Sequence, residues 1–151
     1  MNSFSELFGS MGISATGMNV EQRRLEASAR NLSIVHIAAR PGQETAQVRS
    51  VRVREKGTMD TEDAQFSEFM NGHRIQGVAG ENIDAKAPSR LQYEPGNPVA
   101  DESGMVAYPA VDYLTEMTSM MQSSRAFEAN VTAYTEARNM IQRALEIGRG
   151  A

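Results

Sequence analysis

The chain has 151 residues, 40% of them hydrophobic and 23% charged, with a net charge of -4. It is therefore long enough to bury a core and too apolar to be disordered throughout. The acidic balance argues against nucleic acid as a partner, since affinity for phosphate backbones comes from lysine and arginine. The absence of cysteine excludes disulfides, thiol catalysis and thiolate metal sites.

The opening residues Met1 to Glu6 lack the basic start and apolar run of a cleaved signal peptide. No stretch approaches the roughly 20 apolar residues of a membrane helix. The expectation is a chain that does not span a membrane and that stays in the cytoplasm or leaves by a route needing no cleaved signal. Phe4, Met11, Met18, Leu25 and Leu32 recur every seven residues, with Phe8, Ala15 and Ala29 on a second line interrupted by Gln22. This narrow apolar seam predicts helix-on-helix packing. Gly9, Gly12 and Gly17 lie inside it, each costing about 1 kcal/mol of helix stability relative to alanine, so this helix is expected to need a partner.

The middle of the chain has a different texture and holds Pro41, Pro88, Pro95 and Pro98. Thr45 to Val53 reads as a strand whose alternation slips near Ser50. Its cationic continuation, Arg49, Arg52, Arg54 and Lys56, reads as a solvated strand face. Gly57 to Asp63 is a polar turn region, and Ala64 to Met70 is ambiguous between strand and helical turn. Arg74 to Val78 and Lys86 to Tyr93 are short strand candidates, and Glu94-Pro95-Gly96-Asn97-Pro98 is a strong turn signal.

The last segment carries the stronger helical pattern. Tyr113, Met120, Phe127, Tyr134 and Ile141 form one heptad line, and Met117, Val131 and Leu145 form another that includes Ser124 and Arg138. Pro109 suits the approach to a helix, Asp112 is the expected N-cap and Gly148 a natural stop. A helix from Tyr113 to Ile147 would be ~52 Å long at ~1.5 Å per residue. A compact chain of this size has a radius of gyration of only ~15 Å. These readings predict a mainly α, elongated subunit whose N- and C-terminal long helices pair antiparallel as a coiled coil. Residues 1–33 and 109–151 would form the helical domain, and 34–108 an inserted β-rich or irregular middle domain. Leu114, Met121, Met140 and Ile147 would remain for packing against further chains.

Residues that carry chemistry are sparse. His36 and His73 have no second histidine at ligand spacing, and Asp60, Glu62 and Asp63 lack the layout of a calcium loop. No phosphate loop or nucleophile elbow is present. The expectation is no enzyme, no cofactor, no metal and no catalytic residue.

A specific run of residues does carry a resemblance. It begins at Tyr93-Glu94-Pro95-Gly96-Asn97-Pro98, passes through Ala100-Asp101, Gly104-Met105-Val106 and Pro109-Ala110-Val111-Asp112, and continues into Ser124-Arg125-Ala126-Phe127-Glu128-Ala129-Asn130. With Ser28, Asn31 and Leu32 near the start, this order is similar to the bacterial flagellar axial proteins, and within them to the proximal rod proteins of the basal body. Ser33 and Ile34 stand where that family has an Ala-Asn pair, and Asn97, Met105 and Ala110 where it has histidine, tyrosine and asparagine. The resemblance implies a structural subunit whose terminal helices pack into a helical tube, the periplasmic drive shaft around the export channel, with the middle domain outside. It implies passage through the flagellar type III export apparatus without processing. The implied partners are other rod proteins, copies of the same chain, and ring and export-apparatus components of the basal body. The residue pattern alone leaves two rivals open, a cytoplasmic coiled-coil adaptor and, more remotely, an enzyme with a site in the middle domain near His73, Arg74 or the Asp60 cluster.

Overall fold

The computed structural model describes residues 3–56, 77–86 and 88–149. The expectations for Gly57 to Asp63, Ala64 to Met70, His73 and the start of the Arg74 to Val78 segment lie outside the described residues. In chain order the elements are α1 (Ser3–Ile34), β1 (Gln47–Lys56), β2 (Gly77–Lys86), β3 (Ser89–Tyr93), β4 (Met105–Pro109) and α2 (Tyr113–Arg149). Among the described residues, two long helices thus stand first and last in chain order, with two small two-stranded sheets between them, β1 with β2 and β3 with β4.

Each helix has a local reason to start or stop. The Asp112 side chain accepts from the Leu114 N–H at 3.1 Å and the Thr115 hydroxyl at 2.6 Å, while its carbonyl takes the Glu116 N–H at 3.0 Å. Asp112 is therefore the N-cap of α2, as the sequence predicts. The helix then continues through Gly148, which sits in its last turn rather than beyond it. The 37 residues of α2 make a rod ~55 Å long. After α1 the chain turns at Pro41-Gly42, where Gly42 adopts φ +86 and the Gln43 N–H reaches the Arg40 carbonyl at 3.0 Å.

The β3–β4 pair is antiparallel, with Leu91 opposite Ala107 and Tyr93 opposite Met105. On its other side β4 takes a single bridge, in which Ala39 and Ala107 exchange both main-chain hydrogen bonds at 2.8 and 2.9 Å. A residue whose main-chain groups face Ala39 cannot also face β3, so the β3–β4 ladder bonds run through Arg90–Tyr108 and Gln92–Val106. Val106 and Ala107 are the most deeply buried described residues, at 0% and 1% exposure.

The chain divides into two compact units. One gathers Arg23–Arg52 and Glu81–Ser124, with Ala27, Ser28, Asn31, Ile34, Val35, Thr45, Val106, Ala107 and Ser123 buried. The other gathers Met1–Gln22, Val53–Gly80 and Arg125–Ala151, with Ser14, Val20, Ala137 and Ile141 buried. In this second unit α1 approaches α2 closely at Gly17. A Cβ there would meet the Asn130 side-chain amide at 3.0 Å, so glycine is what admits that side chain.

Within the chain, the buried face of α1 follows Ser14, Val20, Ala27 and Ile34, with Ser28 and Asn31 alongside. At ~100° per residue the Val20, Ala27 and Ile34 line lies about 160° from the seam of Met11, Met18, Leu25 and Leu32, which is half-buried.

Candidate assembly site

The site is built around one side chain on the last turn of α1. Asn31 is 2% exposed. Its Oδ1 accepts from the Arg49 N–H at 2.8 Å, and its Nδ2 donates to the Arg49 carbonyl, also at 2.8 Å. The amide therefore engages β1 as a neighbouring strand would. The second Nδ2 hydrogen goes to Glu116 Oε1 on the first turn of α2, at 2.8 Å. Outward from this node, Arg49 donates from Nε and a terminal nitrogen to the two carboxylate oxygens of Asp84 on β2, at 2.7 and 2.8 Å. Each partner stabilises the other's charged form: Asp84 raises the Arg49 pKa, and Arg49 lowers that of Asp84. The pair is partly exposed, so its two-pronged geometry aligns the strands more than it stabilises them. A polar groove runs beside the node, lined by Arg24, Ser28, Asn31, Arg49, Glu116 and Ser119 among others.

The stretch between β3 and β4 forms a second polar knot. Glu94 Oε2 accepts from Asn97 Nδ2 and from the Tyr108 hydroxyl, both at 2.9 Å. Asn97 Oδ1 in turn accepts the Val99 N–H at 3.1 Å. Asp101 Oδ1 takes the N–H groups of Ser103 and Met105 at 2.9 and 2.8 Å, which folds the Ala100-Asp101 pair into a tight turn. Gly104 has φ +74, a conformation that L side chains rarely adopt. Pro109 is buried, and its carbonyl takes the Val111 N–H at 2.8 Å just ahead of the Asp112 cap. The motif is thus one continuous brace from β3 to the start of α2.

This knot is acid-sensitive, with a definite sign. The hydrogen bonds from Asn97 and Tyr108 hold the Glu94 carboxyl below its ordinary 4.5, and those from Thr115 and Leu114 lower Asp112. A carboxyl depressed by folding contributes stability above its unfolded pKa, and that contribution is lost as pH falls through the folded value. The same bond raises the Tyr108 pKa, so the phenol keeps its proton throughout this range. In a carbon-detected titration, the Glu94 carboxyl should show its midpoint below 4.5, and loosening of the β3–β4 hairpin should follow it. A midpoint at or above that value would remove the knot from the account.

The remaining seam residues are distributed as follows. Met117, Met120, Phe127 and Tyr134 are half-buried and Ile141 is buried, whereas Tyr113, Val131 and Leu145 are exposed. Of Phe4 and Phe8 only the helical backbone is described. In the motif, Tyr93, Pro95, Gly96, Pro98, Asp101, Arg125 and Glu128 lie at the surface, while Ala100, Val111 and Asn130 are half-buried. Sequence reasoning took Arg49, a partner of Asn31, for part of a solvated strand face, and passed over Asp84, to which Arg49 in turn is paired. A mixed-charge strand gives no sign of which member is anchored. Among the described residues there is no cluster able to hold a metal ion, and no helix is long and apolar enough to cross a membrane.

Residues 102–147 match the family model described as flagellar basal body rod FlgEFG protein C-terminal. Over 149 residues the chain is 30% identical to the flagellar basal-body rod protein FlgC of Bacillus subtilis, covering 94% of this chain and 98% of that one. The chain belongs to the FlgC family of flagellar basal-body rod proteins. Its FlgC relatives span distant bacteria. The Salmonella typhimurium protein is 29% identical over 137 residues, covering 91% of this chain and 94% of its own. That of Borreliella burgdorferi is 27% identical over 150 residues, covering 95% and 99%. FlgC proteins are structural parts of the rod rather than enzymes, in keeping with a site made of braces and caps. The family match begins at Glu102, inside the knot, and runs through most of α2.

Proposed function

We propose that this FlgC-family subunit packs its two terminal helices into the wall of the periplasmic drive shaft and transmits torque through their lateral and axial contacts. The helices surround the protein-export channel, and the middle domain, 34–108, faces outward. The partners are copies of the chain, other rod proteins, and ring and export-apparatus components of the basal body. The subunit reaches its place through the flagellar export apparatus without a cleaved signal peptide.

The observation that carries this reading is the apolar surface of α2. Leu114, Met121, Val131, Met140, Leu145 and Ile147 are between 39% and 77% exposed. At ~100° per residue, Val131 and Leu145 fall on one flank of the buried stripe of α2, Met140 and Ile147 on the other, and Leu114 and Met121 on its back. A helix with apolar side chains on three sides is suited to neighbours on three sides, as in the wall of a tube. The terminal helices pair antiparallel along their heptad seams.

Ile147 is 77% exposed, so Ile147→Asp should leave the isolated chain folded. In cells whose only copy is this variant, swimming should be lost and isolated basal bodies should lack a complete rod. Normal motility with intact rods would refute the packing role of this surface.

A further inference from the structure

The node at Asn31 implies more than a local contact. A side chain normally hydrogen-bonds to groups on one neighbouring element, but this amide spends all of its donors on two. One Nδ2 hydrogen and Oδ1 engage the main chain of Arg49 on β1, and the other hydrogen engages Glu116 on α2. With Asn31 2% exposed, water does not replace a missing partner there. Each bond also sits at an end: Asn31 on the last turn of α1, and Glu116 on the first turn of α2. Helix ends open first, because their terminal main-chain groups have no partner within the helix.

We infer that Asn31 is a polar latch that makes the end of α1 and the beginning of α2 close in one step, and only once β1 is in place beside them. Without β1, the buried amide has nothing to take its Oδ1 and one of its hydrogens, so the last turn of α1 is not held against the strand. Without α2, its second hydrogen is orphaned. The latch thus gives the chain a conditional state, in which the two helix ends stay open until the strand is formed. This inference concerns the folding of one subunit and stands whether or not the assembly reading does.

The test is amide hydrogen exchange on the full chain in solution, followed by mass spectrometry with fragmentation to single residues. In Asn31→Ala, protection should fall by about tenfold or more, together, at Arg49, over Ala27 to Ile34 and over Tyr113 to Met117. Protection at Glu94, whose N–H donates to the Gly104 carbonyl in the hairpin, should hold. Loss at Arg49 alone, or loss spread over the whole chain, would overturn the latch.

A second variant guards against simple misfolding. Asn31→Asp places a carboxylate against Glu116, with Arg49 facing it from β1, Asp84 behind that arginine on β2, and Arg24 on its own helix. Two carboxyls at hydrogen-bond distance share a proton far more readily than they ionise together. Asn31→Asp should therefore regain protection at Tyr113 to Met117 as pH falls from 7 towards 5, whereas Asn31→Ala should not. The combination Asn31→Asp with Glu116→Gln should lose that pH dependence. An Asp variant with no acid recovery would sink the proposal.

Discussion

Gly104→Val is expected to cost the chain about 2–4 kcal/mol, through backbone strain and steric overlap together. A valine would be held at φ +74, where a branched side chain meets its own carbonyl. Its Cβ would stand 2.8 Å from a ring carbon of Tyr93 and 3.1 and 3.3 Å from Pro95 atoms, one of them main chain. The tyrosine can swing aside, since it is 67% exposed, but the proline backbone cannot without undoing the turn. Gly104→Asn should be the mildest replacement, because asparagine visits the left-handed region more readily than other residues. Unfolding midpoints in urea should rank glycine, asparagine, alanine, valine. A valine variant as stable as the parent would show that the turn is looser than described.

Asn31→Leu is expected to be of similar severity for an opposite reason. The side chains are close in volume, so packing is nearly preserved and only the hydrogen bonds go. The N–H and C=O that face Asn31 from β1 would be left against a methyl group at a site 2% exposed. Stranding two buried main-chain groups costs roughly 1–3 kcal/mol each, so a loss of about 2–6 kcal/mol is anticipated in urea unfolding. A loss below about 1 kcal/mol would mean that water reaches these groups through the adjoining groove.

The two long helices were readable because their evidence is long-range and periodic, and the Asp112 cap and the Glu94 to Pro98 turn because each has its own chemistry. The strands fared less evenly. Thr45 to Val53 carries enough valine to announce β1, but β2, from Gly77 to Lys86, has only Val78 and Ile83 as branched apolar residues. β4 is five residues long and looks unremarkable, yet it contains Val106 and Ala107. β4 is flanked there by Ala39 on one side and β3 on the other, brought from separate parts of the chain, which no local pattern encodes. On α1, the Val20, Ala27, Ile34 line is itself heptad-spaced and was visible in principle. The eye goes to the larger Met11, Met18, Leu25 and Leu32, although small residues let helices approach most closely. Of the node, Asn31 was marked through its place in a family motif, and Arg49 only as part of a solvated strand face. Its partners Arg49 and Glu116 are charged residues of a kind found anywhere on a surface, and nothing but the fold joins them.

Asn31 has one more consequence, for solubility. A strand with free main-chain groups is a template on which another molecule's strand can grow, and proteins kept at high local concentration must suppress that growth. At Arg49 both groups are already taken by a side chain from a helix, so an incoming strand would first have to expel a buried amide. Sheet extension is thus blocked at that position of β1, while the apolar flanks of α2 stay open. The chain is biased at this point against fibre-like strand stacking and towards ordered association through its helices.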